Sequence, residues 1–343
     1  MRANTKKWDR QHLINIGLSQ KQIDRIFDES ARNISQNLMY LDDYNPDDPF
    51  TFDDYPVLKR QSNKVFNTFN NKLQTVVVGG IISAWKLSND KNNSMCNGVL
   101  KWYKYEMSED EKQKYYNNND KVRDAFIKRK RGGLNISDRV WNYTEQIKKE
   151  MELAIDLGLR DGLSADEMAR SLMKYLREPE RLYRRVRDVH GQLHLSQAAK
   201  DYHPGRGVYR SSYRNALRLA SNEINMAYRT ADHERWQQLD FVVGFNVKRS
   251  GRIYDCPVCE SLTGKYPKDF LFTGWHPQCR CYAVTILNTA DEFWNDAKES
   301  VNTVTDVPDG FNKWVEENAD RIRMAEQQGT LPYFLKDNEK YYK

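Results

Sequence analysis

Four of the five cysteines in this chain, Cys256, Cys259, Cys279 and Cys281, fall with His276 inside 26 positions, and nothing else in the sequence restricts the fold so tightly. Cys256 and Cys259 flank Pro257 and Val258, and a two-residue gap lets one tight turn present both sulfurs. The second run reads His276-Pro277-Gln278-Cys279-Arg280-Cys281. Soft thiolates beside an imidazole are the ligand set of a tetrahedral zinc site, so the chain is expected to fold back and bring two short corners together. The expected ligands are Cys256, Cys259, His276 and Cys279, about one zinc per chain, with Cys281 as the substitute. An extended Cys279-Arg280-Cys281 is expected to send its two sulfurs apart, leaving one to bind. The competing reading is a set of small buried thiols packing a mini-core, or a disulfide.

A closed four-ligand site is structural, because catalytic zinc needs an open position and a general acid or base. The nucleobase deaminase pattern requires His-x-Glu ahead of Pro-Cys-x-x-Cys; here His233 and Glu234 are adjacent and the proline lies inside the cysteine pair. Gly264-Lys265-Tyr266 lacks the remaining residues of a phosphate loop, and no serine sits in Gly-x-Ser-x-Gly. His190 and His194 are separated by Gly191 and loop-type residues and read as solvated. A zinc-supported nuclease using His276 as base is the enzymatic alternative. The chain is read as a non-enzyme.

At 30% charged and 39% hydrophobic residues the 343-residue chain is expected to bury modest cores and to be largely helical. No apolar segment follows Met1, and the Val76–Ile82 run is far too short to span a bilayer. Clustered cysteines do not read as the disulfide framework of a secreted domain, so a soluble protein made in a reducing cytoplasm is expected.

The expected class is α+β, predominantly helical, in four stretches. Residues 1–135 are a mostly helical region with an acidic arm at 42–54, where six aspartates and two prolines carry no basic residue. Within it Ser19 and Gln22 form a capping-box pattern, Asn89 to Asn97 reads as an exposed connection, and Glu109 to Lys130 as a polar helix. Residues 136–209 hold a long helix from Ser137 that Gly158 and Gly162 break, then a helix capped by Ser164 and Glu167. Residues 210–290 form an α+β module. Its helix carries Tyr213, Leu217, Ala220, Ile224, Ala227 and Ala231 on one stripe. Phe241, Val243, Phe245 and Val247 then alternate as a strand, the cysteine cluster follows, and Tyr282 to Leu287 returns. Residues 291–343 are a helical tail.

Net charge is only +6, but arginines group. Arg210, Arg214 and Arg218 line one helix face, with Arg206 upstream; Arg181, Arg184, Arg185 and Arg187 form a second group. Such rows track phosphate backbones without reading sequence, or they lie on solvated or ion-paired faces. A sequence-neutral DNA-binding protein is therefore a further alternative.

The stretch from Arg210 to Leu287 resembles the Mu F-like family of phage minor head, or head morphogenesis, proteins. The resemblance lies in the helix Leu219-Ala220-Ser221-Asn222-Glu223-Ile224-Asn225-Met226-Ala227-Tyr228, the strand after it, Asp255-Cys256-Pro257-Val258-Cys259, Leu262-Thr263-Gly264 and His276-Pro277-Gln278-Cys279-Arg280-Cys281. Leu157-Gly158-Leu159 through Leu176 also looks like the helical region that precedes this module. Where the family helix often carries Thr-Glu, this chain has Asn222-Glu223. The resemblance implies a virion component inside the head near the portal vertex, assembled in the host cytoplasm. It would act in head assembly and in DNA packaging or delivery. Its implied partners are the portal protein, other head proteins and packaged double-stranded DNA, with no membrane.

Overall fold

The computed structural model describes residues 6–41, 44–45, 48–178, 185–187, 189–195, 211–250, 256–295 and 300–343. Its first helices are α1 (Lys6–Asn37), α2 (Pro56–Tyr103), α3 (Glu109–Tyr115), α4 (Asp120–Lys128), α5 (Ile136–Arg160) and α6 (Ala165–Arg177). A short antiparallel hairpin, β1 (Arg185–Arg187) and β2 (Leu193–Leu195), precedes α7 (Ser212–Gln238). Then come β3 (Val242–Lys248), α8 (Pro257–Ser261), β4 (Gly264–Tyr266) and β5 (Tyr282–Leu287), followed by α9 (Ala290–Trp294), α10 (Asp309–Glu317), α11 (Ala319–Gln327) and α12 (Tyr333–Lys336). The chain is thus predominantly helical with one small three-stranded antiparallel sheet, the α+β class expected. Among the described residues no helix is long and apolar enough to cross a membrane.

Contacts divide the chain into two compact units. A helical unit comprises Gly17–Gly80 and Ile127–Ser221; a sheet-bearing unit comprises Met1–Ile16, Ile81–Phe126 and Asn222–Lys343.

In the helical unit, Ile23, Phe27, Ala31 and Ile34 of α1 are buried, and Phe27 meets Phe69 edge-on at 4.8 Å and Tyr213 at 5.3 Å. Ser19 does not open a helix, contrary to its capping-box pattern. The helix already begins at Lys6, so Ser19 sits in its interior, 8% exposed. The Ser164–Glu167 capping box forms as expected and opens α6. Gly158 does not break α5. A Cβ there would lie 2.4 Å from Met168 Cγ, so the glycine admits α6 rather than ending a helix, and the turn falls at Gly162 with φ +66. The acidic arm is partly docked. Phe50 and Phe52 are buried, and their amides donate at 3.1 Å to Asp156 and Glu152 of α5. Residues 42, 43, 46 and 47 of that arm lie outside the described residues.

In the sheet-bearing unit β3 is central, flanked by β4 and β5. A bulge between Val242 and Gly244 shifts the register, so Val242 is buried and Val243 half-exposed where strict alternation expects the reverse. The sheet packs an aromatic core: Tyr266 lies 4.5 Å from Phe270, Phe270 5.7 Å from Phe311 of α10, and Trp275 5.4 Å from Phe334 of α12. The polar helix expected over Glu109–Lys130 is two helices, interrupted where Asn119 takes φ 54.

The connection expected at Asn89–Asn97 is instead the interior of α2. Asn89, Lys91 and Asn92 within it are buried because they pair. Asp232 of α7 meets Lys91 in an ion pair, accepts from Ser88 Oγ at 2.6 Å and from Asn92 Nδ2 at 2.8 Å, while Trp236 Nε1 donates to Asn92 at 2.9 Å. Tertiary pairing overrides the loop-like composition.

Candidate metal centre

The first corner is built by α8. Cys256 holds its N-cap position with φ −116, Pro257 occupies the first helical position, where a missing N–H costs nothing, and Cys259 lies one turn on, on the same face. The second corner is a turn closed by Cys279 N–H on the His276 carbonyl at 3.1 Å, with Gln278 at φ 62.

These corners meet. His276 Nε2 lies 3.3 Å from Cys256 Sγ and 3.1 Å from Cys259 Sγ, and Cys259 Sγ lies 3.9 Å from Cys279 Sγ. The side chains form two groups, Cys256–Cys259–His276 and Cys259–Cys279–Cys281, each with its ligand atoms within 4.8 Å of one another. Cys259 belongs to both. Nδ1 of His276 sits 2.8 Å from the Pro277 carbonyl. A proton there fixes the tautomer that leaves Nε2 as the lone-pair nitrogen facing the sulfurs, as imidazole ligation requires. The donor chemistry therefore fits a metal ion.

One expectation fails. Cys279 and Cys281 do not diverge; both sulfurs lie with Cys259. Residues two apart in an extended segment share a face, so the expectation of opposite faces was a misapplied period. β5 begins only at Tyr282, just beyond them.

Hydrogen bonds from the Cys259 and Cys281 thiols, with the Arg229 guanidinium nearby, hold Cys279 well below the usual thiol range despite its burial. Cys259 is pushed above that range by its contacts with the Cys279 and Cys281 sulfurs and by burial. A thiolate is the state that binds metal. Cys96, the isolated cysteine, is fully buried, and burial pushes its thiol up to about 11.

The cysteine loop rests on α7. Arg229 donates to the carbonyls of Thr273, Cys279 and Cys281 at 2.8, 2.8 and 2.7 Å. One turn earlier, Asn225 Nδ2 donates to the Cys279 carbonyl at 3.2 Å, and its Oδ1 lies 2.8 Å from His12 Nε2. His12 stacks on Tyr228 at 4.1 Å. A cavity of about 90 Å³ is lined by residues of α1, α7 and this loop, among them His12, Tyr228, Arg229 and Cys281. Sequence reasoning missed Arg229 and Asn225. Their four-residue spacing puts them on one helix face, but nothing in the sequence says that face meets the cysteines.

Arg214 is spent on the fold, with Nε and Nη2 donating to the Arg177 carbonyl at the end of α6 at 2.9 and 2.7 Å. Arg218 is half-buried and engaged. Arg185 lies in β1, while Arg181, Arg184, Arg206 and Arg210 fall outside the described residues. Glu223, next to Asn222 where the Thr-Glu pattern is departed from, is fully buried on α7.

No protein-family model, curated protein or solved structure matches the chain.

Proposed function

We propose that this chain is a non-enzymatic minor head protein of a tailed phage, associated with the portal and acting in head assembly and in DNA packaging or delivery. The observation that carries the reading is the convergence of Cys256, Cys259, His276, Cys279 and Cys281 on one small sheet module. Among them, the run His276-Pro277-Gln278-Cys279-Arg280-Cys281 is where the resemblance to the Mu F-like family is most specific. Their donor chemistry favours one structural zinc ion, drawn from four of the five, which would staple the module as a rigid docking unit. Portal protein and other head proteins are the partners this reading names; packaged DNA would be contacted without sequence preference.

Two features weigh against a nuclease using His276 as base. One ring nitrogen faces two sulfurs and the other a carbonyl, so neither points toward solvent chemistry. The DNA-binding alternative loses Arg214, which caps α6. Copurification from infected cells tests the main reading: the chain is expected with proheads and portal, and its absence from both proheads and virions sinks it. Incubating purified protein with DNA and divalent metals tests the enzymatic alternative, with His276→Ala as control; no cleavage is expected from either. Elemental analysis of protein kept reduced is expected to find about one zinc per chain.

A further inference from the structure

Resting on the zinc reading, we infer that Arg229 is a positioning residue of the metal centre, holding the Cys279–Cys281 loop so that both sulfurs converge on Cys259. The guanidinium is a planar fork with fixed donor directions. One of its nitrogens, Nη2, bridges the carbonyls of Cys279 and Cys281, and Nη1 takes that of Thr273. Carbonyls two residues apart, held on one side by a single nitrogen, fix the backbone orientation of the residues that carry the ligands. The fork is itself fixed: Arg229 is 9% exposed, and its guanidinium carbon lies 5.0 Å over the Phe272 ring.

Gly274 makes room for it. That residue has φ +114, and a Cβ there would stand 2.3 Å from Nη1 of Arg229 and 3.2 Å from Cys279 Cβ. Asn225 supplies a second donor to the Cys279 carbonyl, and His12 orients the Asn225 amide. The arrangement also answers a charge problem. Three thiolates and one imidazole around Zn²⁺ leave one net negative charge in a site where Cys259, Cys279 and Cys281 are buried; a guanidinium beside them offsets it. Outer-shell groups of this kind are typically worth about 10–100-fold in metal affinity.

The test uses the full chain, stripped of metal under reducing conditions and titrated with Zn²⁺ against a chromophoric chelator, then with Co²⁺ to read ligand number. Arg229→Lys keeps the charge but loses the fork, and about tenfold weaker zinc binding is expected. Gly274→Ala keeps every ligand residue and the arginine in the sequence but puts its Cβ where the guanidinium sits; a similar loss is expected. Both should show a weaker thiolate-to-cobalt charge-transfer band at saturation. Arg229→Met, if it folds, is expected to lose up to about 100-fold. Zinc affinity within about twofold of wild type in both the lysine and alanine variants, with unchanged cobalt spectra, overturns the inference even if their metal-free stability falls. Should the wild-type chain itself take up no zinc or cobalt, the metal reading fails first and this inference with it.

Discussion

Replacing Lys91 by methionine is expected to destabilise the sheet-bearing unit by about 3–5 kcal/mol. Lys91 and Asp232 are each 6% exposed at their side chains. Burial alone would favour loss of the Lys91 proton, but the Asp232 carboxylate outweighs it and holds the ammonium more firmly than in free lysine. The ammonium also lies 4.3 Å over the Tyr228 ring. Without it, Asp232 keeps, among the described residues, the neutral donors Ser88 at 2.6 Å and Asn92 at 2.8 Å around a desolvated charge. An exposed pair such as Lys86–Asp90, with side chains 75% and 40% exposed, is worth no more than about 1 kcal/mol by comparison. Lys91→Met/Asp232→Asn removes both charges and is expected to recover about half of the single-site loss, since an uncompensated charge costs more than a missing pair. Hydrogen exchange in rising urea, followed on peptides covering 81–103 and 222–238, reads this unit without relying on global two-state unfolding. A Lys91→Met loss below about 1 kcal/mol, or additive losses in the double variant, would refute the reasoning.

Cys259→Ser, which removes the sulfur shared by both ligand groups, is expected to abolish zinc uptake, whereas Cys281→Ser keeps about one equivalent; elemental analysis of the two distinguishes them. Gly158→Ala drives a Cβ to 2.4 Å from Met168 and should cost about 1–3 kcal/mol. Gly79→Ala, with nothing within 4 Å, should stabilise α2 by about 0.5–1 kcal/mol, both read by thermal unfolding. His12 is held neutral chiefly by burial, its pKa depressed from 6.5 to about 3. The unfolded chain therefore binds a proton that the folded chain refuses, and stability falls as pH drops from about 6.5 toward 3. Between pH 7 and pH 5 this amounts to about 2 kcal/mol, and His12→Gln is expected to flatten that part of the urea-midpoint profile. An unchanged slope in the variant rejects the assignment.

Local signals were legible where local chemistry decides. Ser164 and Glu167 announce α6, the alanine stripe announces α7, and two short cysteine spacings announce two corners. Alternation announced β3 but not its bulge, because a register shift depends on what β5 does opposite it. The course of α2 through Asn89–Asn97 was illegible: asparagines and lysines favour loops until Asp232, far along the chain, pairs with them. Gly158 read as a breaker for the same reason, since Met168 supplies the contact that gives its missing side chain a purpose. Arg214 showed its charge but not its destination, a carbonyl at the end of α6. The cysteines and histidine of the cluster were visible in the sequence, while the groups that hold them were not, because helix spacing names a face and not its neighbour.

The clamp on the cysteine loop also has a direction in time. Arg229 precedes the three carbonyls it holds by 44, 50 and 52 residues. Synthesis runs from the N-terminus, so Arg229 and the rest of α7 are made before the last sulfur they will hold, and the clamp closes on a loop that arrives after it.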